Sequence, residues 1–240
     1  MSRGIRFLAV CAATAGGLYL AYLVVLPRVY LRYRLTVDVE VDGVMRTGSG
    51  VVEIAYQGMP DWLSEIGQGA HFGGEMRGYA ITVDLGERGL LFVVNSRPLL
   101  VDPKTHLLAL PKLASLTMLP FIAYGLSQSY DSSTGLAAVR ELQTKKGAVD
   151  VPPDSLPMVV RFRNIDKADT IEELDPRDLS AAYGPGVRLA RARFEFTTDR
   201  VSPMPRTWPK WLASEKQGEF AFSGQSLWYS IISVNAFKGR

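Results

Sequence analysis

From Phe7 to Leu26 the chain carries no charged residue, and this run constrains what the molecule can be more than any other feature. Twenty residues at about 1.5 Å each match a hydrocarbon core of roughly 30 Å. Pro27 follows and cannot continue the hydrogen-bonding ladder of a helix. A cleavable signal would need a small-x-small site after its apolar core. Ala13-Thr14-Ala15 has that form, but cleavage there would leave the greasy stretch LYLAYLVVL behind. A lipoprotein would need a small residue before its cysteine, and Val10 precedes Cys11. The run is therefore expected to be one uncleaved transmembrane helix. Tyr30, Arg32 and Tyr33 are expected at the membrane interface, where aromatic rings and long cationic side chains settle.

The arginines flanking the run nearly balance, with Arg3 and Arg6 before it and Arg28, Arg32 and Arg34 after it. A first apolar segment followed by a large domain most often exports that domain. The expected location is the bacterial inner membrane, single-pass, with the C-terminal domain in the periplasm. The division is residues 1–29 as anchor and 30–240 as one globular domain, long enough to bury a core without staples. Cys11 is the single cysteine, so that domain has no thiol chemistry and no disulfide. Its net charge of +3 is spread along the chain, and no nucleic-acid partner is expected. The expected partners are the lipid bilayer, through the N-terminal helix, and other envelope proteins.

Beyond the anchor the pattern changes period. In YRLTVDVEV, Tyr33, Leu35, Val37, Val39 and Val41 alternate with polar residues, which predicts a half-buried strand. Asp42-Gly43 predicts a hairpin turn, and VVEIAY the return strand. YAITVDL and GLLFVVN predict two strands joined through Gly86-Glu87-Arg88-Gly89, and VVRFRNI and VRLARARFEFT predict two more. The fold class is α+β: a mainly antiparallel sheet with short helices, preceded by the one transmembrane helix. The apolar span 107–126 is interrupted by Pro111, Lys112 and Pro120, which predicts broken helices packed on the sheet or touching the membrane surface rather than a second crossing. Trp208 and Trp211 stand three apart at the start of a short helix, either docked on the sheet or as an interfacial foot.

Tests for chemistry come back empty. Gly67, Gly69 and Gly73 miss the dinucleotide spacing, and no lysine stands where a phosphate loop requires one. A calcium loop starting at Asp166 would put Ile171 and Arg177 where a glycine and an acid are needed. His71 and His106 are too few for a usual zinc site. No catalytic residue, metal ligand or cofactor is assigned. The acids Asp166, Asp169, Glu172 and Asp175 read as helix caps, with Asp169 and Glu172 at capping-box spacing and Asp175 capping the next helix. Their alternative role is as carboxylates of a hydrolase or transferase at the membrane surface. Arg161 and Arg163 share a strand face, as do Arg191 and Arg193. If the two strands are neighbours, four guanidinium groups line one surface for lipid headgroups or an acidic partner. Otherwise they are solvated ion-pair partners.

The blocks RYRLTVDVEVDGVMRTGSGVVEI, ITVDLGERGLLFVV and LPMVVRFRNIDKADTIEELDPRDLSAAYGPGVRLARARFEFT, in this order, resemble an uncharacterised family of membrane-anchored proteobacterial proteins. The resemblance runs from Arg32 to Leu212 and is most specific from Leu156 to Thr197. No activity is assigned to that family, so it transfers no catalytic residue. The expected function is that of a membrane-tethered, non-enzymatic binding or assembly module of the bacterial envelope.

Overall fold

A computed structural model describes residues 28–58, 72–96, 115–126, 132–214, 219–221, 231–233 and 236–239, with a few isolated positions before 18. The expected membrane helix lies outside the described residues, and so do His71 and His106. Among the described residues, no helix is long and apolar enough to cross a membrane.

Strand β1 (Arg28–Val41) and β2 (Val44–Gly58) form a long antiparallel hairpin. At about 3.3 Å per residue, β1 extends some 45 Å. Asp42 (φ 51°) and Gly43 (φ 82°) both take the left-handed conformation that a two-residue hairpin turn requires. β3 (Phe72–Arg77) pairs with β2, which places Gly73 in a strand. β9 (Val187–Phe196) pairs with the other edge of β1, and β6 (Ala148–Asp150) pairs with β9. The resulting sheet has the order β3-β2-β1-β9-β6.

β4 (Ile81–Asp84), β5 (Leu90–Val93), β7 (Val159–Phe162) and β8 (Ile171–Leu174) make a second antiparallel sheet, in that order. A single 3-10 turn, Gly86–Arg88, joins β4 to β5. β10 (Glu219–Ala221) and β11 (Ile231–Ser233) pair with each other. The domain is thus a mainly antiparallel β structure with a few short helices: α1 (Leu119–Ala123), α2 (Ser132–Leu142), α3 (Ser180–Tyr183) and α4 (Lys210–Ser214).

The main core lies between the sheets. Leu31, Tyr33, Leu35, Val37 and Val39 meet Ile81, Val83, Leu91 and Val93 of the second sheet, together with Leu119, Leu136 and Val139 of the helices. The sheets touch most closely where β2 has glycine. A Cβ on Gly48 would sit 2.2 Å from the Thr82 carbonyl oxygen, so only glycine fits that seam. A second core covers the far side of the four-stranded sheet, where Phe92, Val160 and Phe162 pack on Trp208, Leu212 and Phe237. Both expected tryptophans are docked here: Trp208 donates to Thr82 Oγ1 at 2.8 Å and Trp211 to the Ile165 carbonyl at 2.7 Å. They do not form an interfacial foot.

The described part of the apolar span 107–126 packs on the five-stranded sheet. Leu116, Leu119 and Phe121 are fully buried. Two core tyrosines fasten the segment. Tyr33 donates to the Leu116 carbonyl at 2.6 Å and Tyr56 to the Thr117 carbonyl at 2.5 Å. The backbone of a non-helical stretch thereby finds donors inside the core.

Candidate functional site

The expected four-arginine surface does not form. Arg161 is on β7 in the four-stranded sheet, whereas Arg191 and Arg193 are on β9 in the five-stranded one. The alternation on each strand is as expected, but the strands are not neighbours. β7 lies between β5 and β8, and β9 between β1 and β6.

Each arginine instead serves its own locality. Arg161 is half-buried and stands opposite Glu172 of β8, to which it donates through Nε. Its Nη1 donates to the Ala182 carbonyl of α3, and its guanidinium lies 4.8 Å from the Tyr183 ring centroid. Tyr183 in turn donates to the Leu90 carbonyl at 2.9 Å, while Arg88 donates to the Tyr183 carbonyl at 2.8 Å. Burial pushes the Tyr183 hydroxyl pKa up, partly offset by the charge of Arg161. Arg161 therefore clamps α3 onto the rim of the second sheet. Arg163 lies past the end of β7 with its Nε 3.8 Å from Glu172. Arg191 pairs with Asp150 of β6 at 2.9 Å, in solvent. Arg193 stands opposite Thr36 and Asp150 in register and is exposed.

A polar cleft of about 290 Å³ opens beside this clamp, lined by Arg161, Glu172, Glu173, Asp175 and Asp178 with Ala182 at its wall. Two of the four singled-out acids, Glu172 and Asp175, reach it. Asp166 and Asp169 sit in the exposed β7–β8 connection. The capping assignments need correction. Glu172 is a strand residue spent on Arg161, so the capping box with Asp169 is not made. Asp175 does not cap a helix; its carboxylate takes Arg177 through Nε at 2.9 Å and Nη2 at 2.6 Å. Burial works to raise the Asp175 pKa, but the hydrogen bonds and charge of Arg177 outweigh it and hold it below the usual carboxylate value. The cap of α3 is Asp178, whose Oδ1 accepts from the Ala181 amide and from the Ser180 hydroxyl. Gly184, at φ 88°, ends that helix as expected.

Within the cleft Glu172 is paired with Arg161 and Asp175 with Arg177, while Asp178 caps α3 and the buried Oε2 of Glu173 accepts no hydrogen bond from the described residues. No cluster of three or more metal-ligating side chains occurs among the described residues.

The expected interface residues separate. Tyr30 is 44% exposed, on the solvent side of β1. Tyr33 is not at an interface. It has no exposure, its ring packs 4.6 Å from Phe194, and burial first, then the neighbouring Tyr56, raises its pKa. A strand turns successive residues to opposite faces, so Tyr33 falls inward where Tyr30 and Arg32 fall outward. Arg32 pairs with Glu53 at 2.5 Å, and Arg77 reaches the same carboxylate at 3.3 Å. Glu53 is a buried acid that the search for chemistry passed over. Its signal was a lone carboxylate inside the apolar stretch VVEIA.

Compared with known proteins, the chain matches no family model, no curated protein and no solved structure.

Proposed function

We propose that this chain is a membrane-tethered, non-enzymatic binding or assembly module of the bacterial envelope, with its β domain on the periplasmic side. The observation that carries the reading is the state of the polar cleft. Glu172, Asp175 and Asp178 are each committed to an arginine or a helix cap, so these three acids serve architecture. A general acid–base pair needs carboxylates directed at a substrate, and the same geometry lends the carboxylate-enzyme alternative no support.

The long hairpin supports a tether-and-present arrangement. Its first residue follows the apolar run with only Pro27 between, and its tip carries the exposed apolar residues Val44 (55%) and Met45 (52%).

A pull-down of the full chain, tagged at its C-terminus, from detergent-solubilised membranes tests the proposal. The expected result is a partner in stoichiometric amount that is lost when Val44→Asp and Met45→Asp are combined. Recovery of a lone monomer would reject an assembly role.

A further inference from the structure

The end of the five-stranded sheet where β1 begins carries a different charge from the end where the hairpin turns. β1 brings Arg28, Tyr30 and Arg32 to the starting end. α2 crosses the sheet at that same end. Gly135 sits against Phe72 of β3, and Gln143, just past the helix, donates to the Tyr30 carbonyl at 3.4 Å. That last contact brings the turn from α2 to β6, with Lys145 and Lys146, beside the start of β1. Tyr124 of the segment after α1 donates to the Gly147 carbonyl at 3.2 Å and holds the turn from the other side. Arg77 adds a sixth cation near this end after Arg28, Arg32, Arg140, Lys145 and Lys146, its guanidinium 6.0 Å from the Tyr30 ring centroid.

Among the described residues the acids at this end are Glu53, Glu75, Glu141, Glu195 and Asp199, the last two paired with Arg34. Glu53 is taken by Arg32 and Arg77, and Glu141 by Lys145 at 2.8 Å. Lys146 and Arg140 are exposed and have no ion-pair partner among the described residues. At the hairpin tip the balance tips the other way, with Asp38, Glu40, Asp42, Asp84 and Glu87 set against Arg46, Arg88, Arg188 and Arg191.

We infer that the basic end, made by Arg28, Tyr30, Arg140, Lys145 and Lys146, rests on an anionic bilayer surface and stands the hairpin away from it. This rests on the membrane-anchor reading above. Chain length limits Arg28 and Tyr30 to within about 7 and 14 Å of Leu26. That is comparable with the ~8–10 Å over which a charged surface acts at ordinary salt. Cations near an anionic leaflet are attracted to it, and an exposed tyrosine suits the headgroup layer. The acidic tip is repelled by the same surface, so both ends favour one orientation. The lysines come from a turn more than 100 residues beyond β1 and join it only through the fold.

The test places the full chain in lipid nanodiscs containing either phosphatidylcholine alone or added phosphatidylglycerol, and follows lysine acylation by mass spectrometry. Lys146 is expected to react at least about fivefold more slowly on anionic discs. Lys167 and Lys210, exposed elsewhere, should keep equal rates on both. High salt should abolish the difference, and the combination Arg28→Gln with Arg140→Gln should reduce it. Equal rates at Lys146 on both discs would overturn the inference while leaving the anchor standing. A chain that fails to enter either disc would overturn both.

Discussion

Along β1 and β9 the five-stranded sheet keeps one face in water, whereas the four-stranded sheet is covered on both. On β1 the inward residues from Leu31 to Val41 are buried, and the outward ones hold Arg32, Arg34, Asp38 and Glu40. On β5 and β7 this alternation disappears: Leu91, Phe92, Val93, Val159 and Val160 are all buried, facing one core or the other. Charge therefore means different things in the two places. Arg191, on the wet sheet, has an exposed partner. Arg161, on the covered one, has its guanidinium distributed among Glu172, the Ala182 carbonyl and the Tyr183 ring. The difference teaches that an arginine on an exposed sheet face can be an isolated detail, while one at the rim of a doubly packed sheet is fastened to several elements at once.

The sharpest way to test the covered sheet is Phe92→Ala, which empties a fully buried site between β5 and the second core. It should cost about 4 kcal/mol, read by urea denaturation. A loss under about 1 kcal/mol would show that the second core is not packed. Next in size is Gly48→Ala at the seam between the sheets, which should cost about 3 kcal/mol because its Cβ would press on backbone that cannot rotate away. Gly73→Ala, in open space on β3, is its control and should stay within about 0.5 kcal/mol of the native chain.

Arg161→Ala should cost about 2 kcal/mol, since it leaves Glu172 and the Ala182 carbonyl without their charged donor. Thermal melts that show no difference between Arg161→Ala and Arg191→Ala would break the comparison of the sheets. A smaller effect belongs to Asp175, just past β8. Its folded pKa lies below the unfolded value, so its stabilisation is present above about pH 4 and is lost as pH falls through the folded pKa. Asp175→Asn should cost under about 1 kcal/mol at pH 7, discounted for its partly exposed partner Arg177, and less near pH 2. Denaturation at the two pH values checks this; an equal cost at both would assign the loss to packing. Smallest of all, Arg191→Ala should stay within about 0.5 kcal/mol of the native chain in the same melts.

Period-two alternation made β1 legible, and Asp42-Gly43 announced its turn, because both are properties of a few adjacent residues. The strands YAITVDL, GLLFVVN, VVRFRNI and VRLARARFEFT were legible as short runs rich in β-branched and aromatic residues. Their neighbours were not. Arg161 and Arg191 sit in nearly the same local pattern, and only the sheet order decides that one meets Glu172 and the other Asp150. Asp178 rather than Asp175 caps α3 because its Oδ1 reaches the Ala181 amide, whereas the Asp175 carboxylate is held by Arg177. Tyr33 belongs to the core by the same alternation that identified its strand, although the adjoining apolar run drew it toward the membrane interface.

By itself the sequence determined the apolar run Phe7–Leu26, the strand periodicity, the hairpin turn and the lack of thiols beyond Cys11, since each depends on composition or on residues close in the chain. Only the tertiary structure decided which charges meet. It separated the two arginine strands, buried Glu53 between Arg32 and Arg77, and carried Lys145 and Lys146 to the start of β1. Pairing across a sheet joins residues through long-range packing of whole faces, and no local pattern encodes which faces will close on one another.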